Sequence, residues 1–511
     1  MAVDKVAGMA RIVVIGAGMG AMAAAARLAV AGHRVTVYER TDTYGGAVRR
    51  LERDGFAFDT GPGLLTLPAV YRDLFVKTGK EPLEDCVELV QVDPSARHVF
   101  ADGTEVSVPN ASRAGVVAAL DEALGAGAGE RWGDFLVRAR EAWDRTRRPL
   151  LEEPLWPNWR VLADKEPYPG VPHKRLLRTR RASTPAEIGA WELRDERLAA
   201  LLESSALAHG LDPRTAPASA AVLPYMEHAF GTWYVRGGIR ELARAVYERC
   251  LKRRVEFVFD AEVMRVLDQD GRATGVELRD GTVAEADHVV ADVDPARLKV
   301  MTDRPLDRDG DVRADPFMTR PGRFAVLLAL RGGREAGAAH RTVVHAPDPV
   351  SELDFLASAE GDQPPRPTVT VLRPDDPALS PDDGHESMVL SAVVPTAVDW
   401  DDKAVVRRYT EHLLDSAGAA VPGLRDRVLW QEVRTPDDSD DETSAFLGAV
   451  PAPALAAGRG RYLHPANTTR LPGLYRVGGW SHPGGGLAHA GMSGALVAGL
   501  IVEGPEFRGS Q

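Results

Sequence analysis

The residues with the clearest chemistry stand near the N-terminus. Gly16-Ala-Gly18-Met19-Gly20-Ala21 follows a short β-branched run, Ile12-Val-Val-Ile15, and leads into an alanine-rich stretch from Met22 to Ala31. Arg34-Val-Thr-Val-Tyr38 comes next and ends at Glu39. The order predicts a buried strand, a glycine turn, a helix and a second strand. Gly16 permits the tight turn, Gly18 lets backbone amides approach a pyrophosphate, and Ala21 is the small residue where helix meets strand. The positive end of the helix then faces the phosphates. Glu39, 23 residues after Gly16, is placed to accept from ribose hydroxyls. This is a dinucleotide-binding βαβ unit, and by itself it does not separate FAD from NAD. Residues 12–26 carry no charge, but their glycine cluster argues against a signal peptide.

Two further glycine clusters favour the longer dinucleotide. Gly45-Gly46-Ala47 follows Glu39, and Asp54-Gly-Phe-Ala-Phe-Asp59-Thr-Gly61-Pro62-Gly63 follows that. Near the other end, Leu471-Pro-Gly-Leu-Tyr-Arg-Val-Gly478-Gly479-Trp480 runs into Ser481-His482-Pro-Gly-Gly-Gly486-Leu487 and an almost uncharged small-residue helix. A glycine loop feeding a helix N-terminus suits the ribityl and ring end of a flavin.

These blocks resemble the carotenoid (phytoene) desaturase family, FAD-dependent oxidoreductases with the amine-oxidase type of FAD fold. Gly231-Thr-Trp233-Tyr234-Val-Arg236-Gly237-Gly238 adds a central match, and the stretches around Val263 and residues 289–295 fit a second cofactor-contacting β segment. The resemblance spans nearly the whole chain and is weakest around residues 130–215 and 300–430. It implies noncovalent FAD, with Glu39 and Arg40 at the adenosine ribose and Gly46 and Ala47 near the pyrophosphate. Gly61, Pro62 and Gly63 would lie near the ring, and the Val263 backbone would pair with adenine. Gly478, Gly479, Gly486 and Leu487 would line the ribityl chain and ring. The family usually carries arginine where this chain has Ala47, and Arg49 or Arg50 is the candidate substitute. Leu65, Trp233, Tyr234 and Trp480 are candidate substrate-lining residues.

The implied fold is α/β: a Rossmann-like FAD-binding domain, discontinuous in sequence, and a substrate domain of mixed sheet with a helical lid. The expected cofactor-binding parts are residues 10–85, 229–300 and 460–505. The substrate domain is expected over 86–228, with the lid, and 301–459. Helices are expected over residues 114–120, 196–207 and 238–247, and strands over 255–259, 262–267 and 274–278, with turns at Asp270-Gly and Asp280-Gly. Trp132, Trp143, Trp156 and Trp159 fall in the helical part, where they read first as core and second as the wall of a lipophilic site.

Lys174, Arg175, Arg178, Arg180 and Arg181 form a basic run. It reads as a solvated helix face, with an anionic membrane surface as the alternative. Asp437, Asp438, Asp440, Asp441 and Glu442 read as an exposed loop. His482, beside the expected ring position, is the one weak candidate for a proton-handling catalytic group. No metal site is expected: His482 and His489 have no partner cluster nearby.

Composition bounds the rest. The 511 residues carry 62 basic and 74 acidic side chains, so the chain is acidic and a poor general nucleic-acid binder. Two cysteines, Cys86 and Cys250, make no disulfide framework, which fits a reducing cytoplasm. Peripheral membrane contact is compatible with that. The reading is an oxidoreductase that takes a hydride from a lipophilic isoprenoid or polyene to flavin N5 as the adjacent carbon loses a proton, leaving a new C=C bond, and passes electrons to oxygen or a quinone. Two alternatives stand beside it. One is another redox use of the fold: oxidation of an amine or porphyrinogen, or cyclisation of a secondary metabolite. The other is a non-catalytic flavin- or lipid-binding protein.

Overall fold

A computed structural model describes residues 9–172, 178–307, 310–312, 321–358 and 364–509. Its centre is a five-stranded parallel sheet. In chain order the strands are β1 (Arg11–Ile15), β2 (Arg34–Tyr38), β3 (Glu256–Val258), β4 (His288–Ala291) and β5 (Leu474–Arg476). Their order across the sheet is β3-β2-β1-β4-β5, every pair parallel. Ile12 to Ile15 and Val289 to Ala291 are all buried, as strands covered on both faces must be. The sheet is therefore assembled from the start, the middle and the end of the chain.

Helix α1 (Met19–Val30) links β1 to β2, and α2 (Arg240–Lys252) precedes β3. The C-terminal helix α4 (Leu487–Val502) lies against α1. Small residues let their backbones meet: a Cβ on Gly494 would lie 2.6 Å from the Gly20 carbonyl oxygen. A three-stranded antiparallel sheet (Val263–Gln269, Arg272–Leu278, Val283–Glu285) flanks the core. Its hairpins turn at Asp270-Gly271 and Asp280-Gly281.

The second body is a seven-stranded mixed sheet built on the long antiparallel pair Pro321–Arg331 and His385–Pro395. Helices Arg113–Leu124, Ala128–Arg147, Glu196–Ala208 and Val222–Phe230 enclose a core containing Trp132, Phe135 and Trp143. Trp156 and Trp159 pack at the edge of a smaller cluster with Leu150 and Leu162. At Trp132 and Trp143 the core reading of the tryptophans describes their burial.

Two expectations are corrected. The acidic run is not a loop: it forms helix α3 (Pro436–Thr443). Thr435 and Asp438 make a reciprocal capping box, Pro436 starts the helix, and Asp437 and Asp438 stand in the first turn at its positive end. The described part of the basic run is not a helix face. Thr179–Arg180 pairs with Val171–Pro172 as a short antiparallel ribbon, and the Arg180 guanidinium lies 3.1 Å from the Trp191 ring centroid. Lys174 and Arg175 fall outside the described residues.

Candidate functional site

The parallel register of β1 with β2 and β4 places three turns side by side at the C-terminal edge of the sheet, where α/β folds bind ligands. Gly16 turns at φ +88°, and its amide donates to the Tyr38 carbonyl at 2.8 Å. Gly18 then caps α1 without a side chain, and no acid stands in the first turn. The helix end is left for an anion.

Glu39 is buried beside this turn. One carboxylate oxygen accepts from the Ala17 amide at 2.8 Å. The other accepts from the Thr41 amide and hydroxyl, each at 2.9 Å. A carboxylate has about four acceptor positions, so one remains for a ribose hydroxyl. The Ala261 amide donates to the Glu39 carbonyl at 2.9 Å, which brings Val263, the first residue of its strand, to the same end.

Gly45 and Gly46 close over Gly18. The Gly45 amide donates to the Ala17 carbonyl at 2.8 Å, and a Cβ on Gly46 would lie 3.1 Å from the Gly18 Cα. Two arginines wrap this turn. Arg49 donates to the Gly46 carbonyl at 3.0 Å and to the Thr41 hydroxyl at 2.9 Å. Arg240 donates to the Tyr44 carbonyl, and to the Val48 carbonyl at 2.8 Å. Burial pulls the Arg240 guanidinium below its usual value, and Arg49 adds to that. Arg50 instead reaches the Gly237 carbonyl at 3.1 Å, and Ala47 is exposed. Arg40 donates to the Asp441 carbonyl, and Arg49 to that of Glu442 at 3.0 Å, so the end of α3 covers this side.

Asp59 accepts from the Ile239 amide at 2.8 Å and the Arg240 amide at 3.3 Å, so it caps α2 and sets Arg240. Burial pushes its carboxyl up to about 6, against the lowering by those two amides. Gly61 backs onto the Ala47 carbonyl; Pro62 is exposed and Gly63 half-buried beside it.

The C-terminal turn completes the cradle. A Cβ on Gly20 would lie 2.7 Å from the Gly478 Cα. The Gly478 amide donates to the Ser493 hydroxyl at 3.0 Å. Asn467, 1% exposed, donates to the His482 carbonyl at 2.8 Å and the Arg476 carbonyl at 3.2 Å. Gly479 and Trp480 are partly exposed in this turn. Gly486 caps α4 with no side chain, and Leu487 opens the helix. The Tyr71 hydroxyl donates to the Leu487 carbonyl at 2.9 Å, which ties α4 to the segment holding Leu65. Leu65 is fully buried and pairs with Trp233. Trp233 donates to the Phe230 carbonyl at 2.9 Å. Tyr234 points elsewhere, with its hydroxyl on the Asp376 carboxylate at 2.7 Å.

His482 is fully buried, and one ring nitrogen meets the Glu153 carbonyl at 2.9 Å. A carbonyl only accepts, so Nε2 carries the proton. Nδ1 has no partner. Burial pushes the ring down to about 4, which makes it a weak base. His489 is likewise pushed down, to about 3, by burial. It lines a small apolar cavity of about 20 Å³ with Trp143, Leu150, Leu151, Leu223 and Met226.

Asp59, Arg240, Asn467 and Ser493 were not singled out by sequence. A serine inside an uncharged helix was a readable signal; the other three act across distant segments.

The donor set fits a flavin dinucleotide. It offers a helix end with no acid of its own for phosphates, a buried carboxylate with acceptor capacity left, two arginines at the glycine turn, and a second bare helix end at Gly486. Comparison with known proteins agrees. The family described as flavin containing amine oxidoreductase matches residues 22–502. The chain is 31% identical to a hydroxyneurosporene desaturase of Cereibacter sphaeroides, over 96% of this chain and 97% of that one. It is 29% identical to a 4,4'-diapolycopene oxygenase of Methylomonas, over 96% and 98%. Among solved structures, an oxidoreductase from Methanosarcina mazei superposes with a TM-score of 0.64 at 19% identity, covering 95% of this chain and 99% of that one.

Proposed function

The chain belongs to the flavin-containing amine oxidoreductases, and from that premise we propose that it desaturates a lipophilic polyene of the isoprenoid kind. It is an FAD-dependent oxidoreductase. Bound in the cradle, FAD supplies the two-electron acceptor for oxidation of a C–H bond. The chain's own residues do the rest. Glu39 and the α1 end hold the adenosine and phosphate half. Arg49 and Arg240 keep the Gly45-Gly46 turn closed on it. Tyr71, Asn467 and Ser493 fix the first turn of α4 and the 478–486 turn at the ring end. The ring-end wall excludes water.

The observation that carries the substrate class is the end-to-end likeness to a hydroxyneurosporene desaturase and a 4,4'-diapolycopene oxygenase, over 96% of this chain in each case, which supports a polyene substrate.

No helix among the described residues is long and apolar enough to cross a membrane. A polyene resides in lipid, so the chain works by peripheral contact, supported by exposed Arg178 and Arg181. Oxygen or a quinone takes the electrons onward.

The test is incubation of the purified protein with polyenes in lipid vesicles, and with amines, followed by absorbance and mass analysis. A polyene that loses two hydrogens per step and absorbs at longer wavelength supports the reading. Oxidation of amines with polyenes left unchanged overturns it.

A further inference from the structure

Asp292 directly follows β4, and its amide donates to the Ile15 carbonyl at 2.9 Å. That bond continues the β1–β4 register one residue beyond the strand end and carries the side chain under the phosphate turn. One carboxyl oxygen accepts from the Ala21 amide, in the first turn of α1, at 3.3 Å. The same oxygen lies where a Cβ on Gly18 would stand, and the other lies where a Cβ on Gly478 would stand. The Asp292 carbonyl would be 3.1 Å from a Cβ on Gly16. Two glycines of the cradle, Gly18 and Gly478, therefore flank one carboxyl, and a third, Gly16, backs onto the main chain of the same residue, at the helix end where phosphates belong.

We propose that Asp292 is a cofactor-binding residue whose carboxyl is held protonated against the FAD pyrophosphate, so that FAD uptake above neutral pH takes up one proton. This rests on the reading of the cradle as an FAD site. An ionised carboxylate beside a pyrophosphate would repel it, whereas a neutral carboxyl donates to it. The surroundings already favour the neutral form. Burial pushes the carboxyl up to about 7, the Ala21 amide works against this, and the Glu39 carboxylate adds to it. Among the described residues, the groups around it leave no cation to reverse that direction. From α1 and the 478 turn it meets backbone. From the end of β2 it meets the charge of Glu39. Arg476 on β5 is taken by Asp307 at 2.7 Å. Asp294, two residues on, accepts from the Ala296 amide at 2.7 Å and caps the helix that follows.

The sign follows from linkage. Bound pyrophosphate raises the Asp292 pKa further, so the bound form holds more protons than the empty form. Below about pH 7 the carboxyl is protonated in both, and affinity is flat. Above it, each pH unit weakens FAD binding about tenfold, until the pKa of the bound form is reached.

The test is the dissociation constant for FAD, read by flavin fluorescence on the full chain stripped of flavin, from about pH 6 to about pH 9. The groups of FAD itself do not titrate across that window. The wild type is expected to weaken by about 50-fold between pH 7 and 9, and Asp292→Asn to bind with no such slope. Calorimetry on the wild type in two buffers of different ionisation enthalpy gives a second reading that needs no variant. About one proton taken up per FAD near pH 8 supports the proposal. Binding with no proton uptake, or the same slope in wild type and variant, overturns it. A chain that takes up no FAD at any pH overturns the reading of the cradle and the proposal with it.

Discussion

Gly20 and Gly478 meet backbone against backbone: a Cβ on Gly20 would lie 2.7 Å from the Gly478 Cα and 2.9 Å from its amide nitrogen. The first turn of the N-terminal helix is thereby locked onto the turn that leads to the C-terminal helix. The two ends of the chain share one cradle wall, and neither end builds it alone.

The first prediction concerns that contact. Gly20→Val forces the two turns apart. Overpacking of this kind costs about 1–3 kcal/mol. Both a lower urea midpoint and loss of the yellow flavin on purification are expected. A variant that keeps wild-type flavin content would show that the 478 turn does not depend on α1.

The second concerns Asn467, whose side chain joins the Arg476 and His482 carbonyls across the 478–486 turn. Asn467→Leu takes a donor from the buried Arg476 carbonyl and leaves the His482 carbonyl only the Ser493 hydroxyl, at a cost of about 1–3 kcal/mol. The expected result is weaker FAD retention with a stability loss of that size, read from urea unfolding. An unchanged midpoint would mean that the turn is held by Ser493 alone.

The third concerns acid. Burial holds His482 down at about 4 and His489 at about 3, below the usual value near 6.5. The unfolded chain takes protons first as pH falls. The stability from keeping these rings neutral is therefore full above about pH 6.5 and is lost as pH falls toward the folded values. Asp59 and Asp292, raised by burial, act in the opposite sense. Their stabilisation is present below about pH 4 and is lost as pH rises through about 6 and about 7. Comparison with His482→Gln isolates the histidine. At about pH 5 the wild type should lose about 2 kcal/mol more than the variant, relative to pH 7.5. Equal losses in the two proteins would show that His482 is already charged in the fold.

Much of the cradle was legible because its parts are local. The Gly16 turn, Glu39, the Gly45-Gly46 turn and the loop before Leu487 each lie within a few residues of the strand or helix that fixes them. Asp292 was not legible, because only the β1–β4 register brings it to Gly18. Arg240 is a helix residue with nothing in its own neighbourhood to mark it; it reaches Tyr44 and Val48 because Asp59, from another segment, caps α2. The acidic run shows a different limit. With no apolar period it read as a loop, yet Thr435, Pro436 and Asp438 were a helix-start signal in plain view, and the capping box prevailed over the missing apolar face.

The most direct measurement is the absorbance of the flavin band on anaerobic mixing of the purified yellow protein with a phytoene-like polyene, with amines run in parallel. The account predicts that the polyene alone bleaches the band, and that the polyene recovered afterwards has gained a double bond. Bleaching by amines with polyenes inert would contradict the substrate class, and a protein that stays colourless after addition of FAD would contradict the cradle itself.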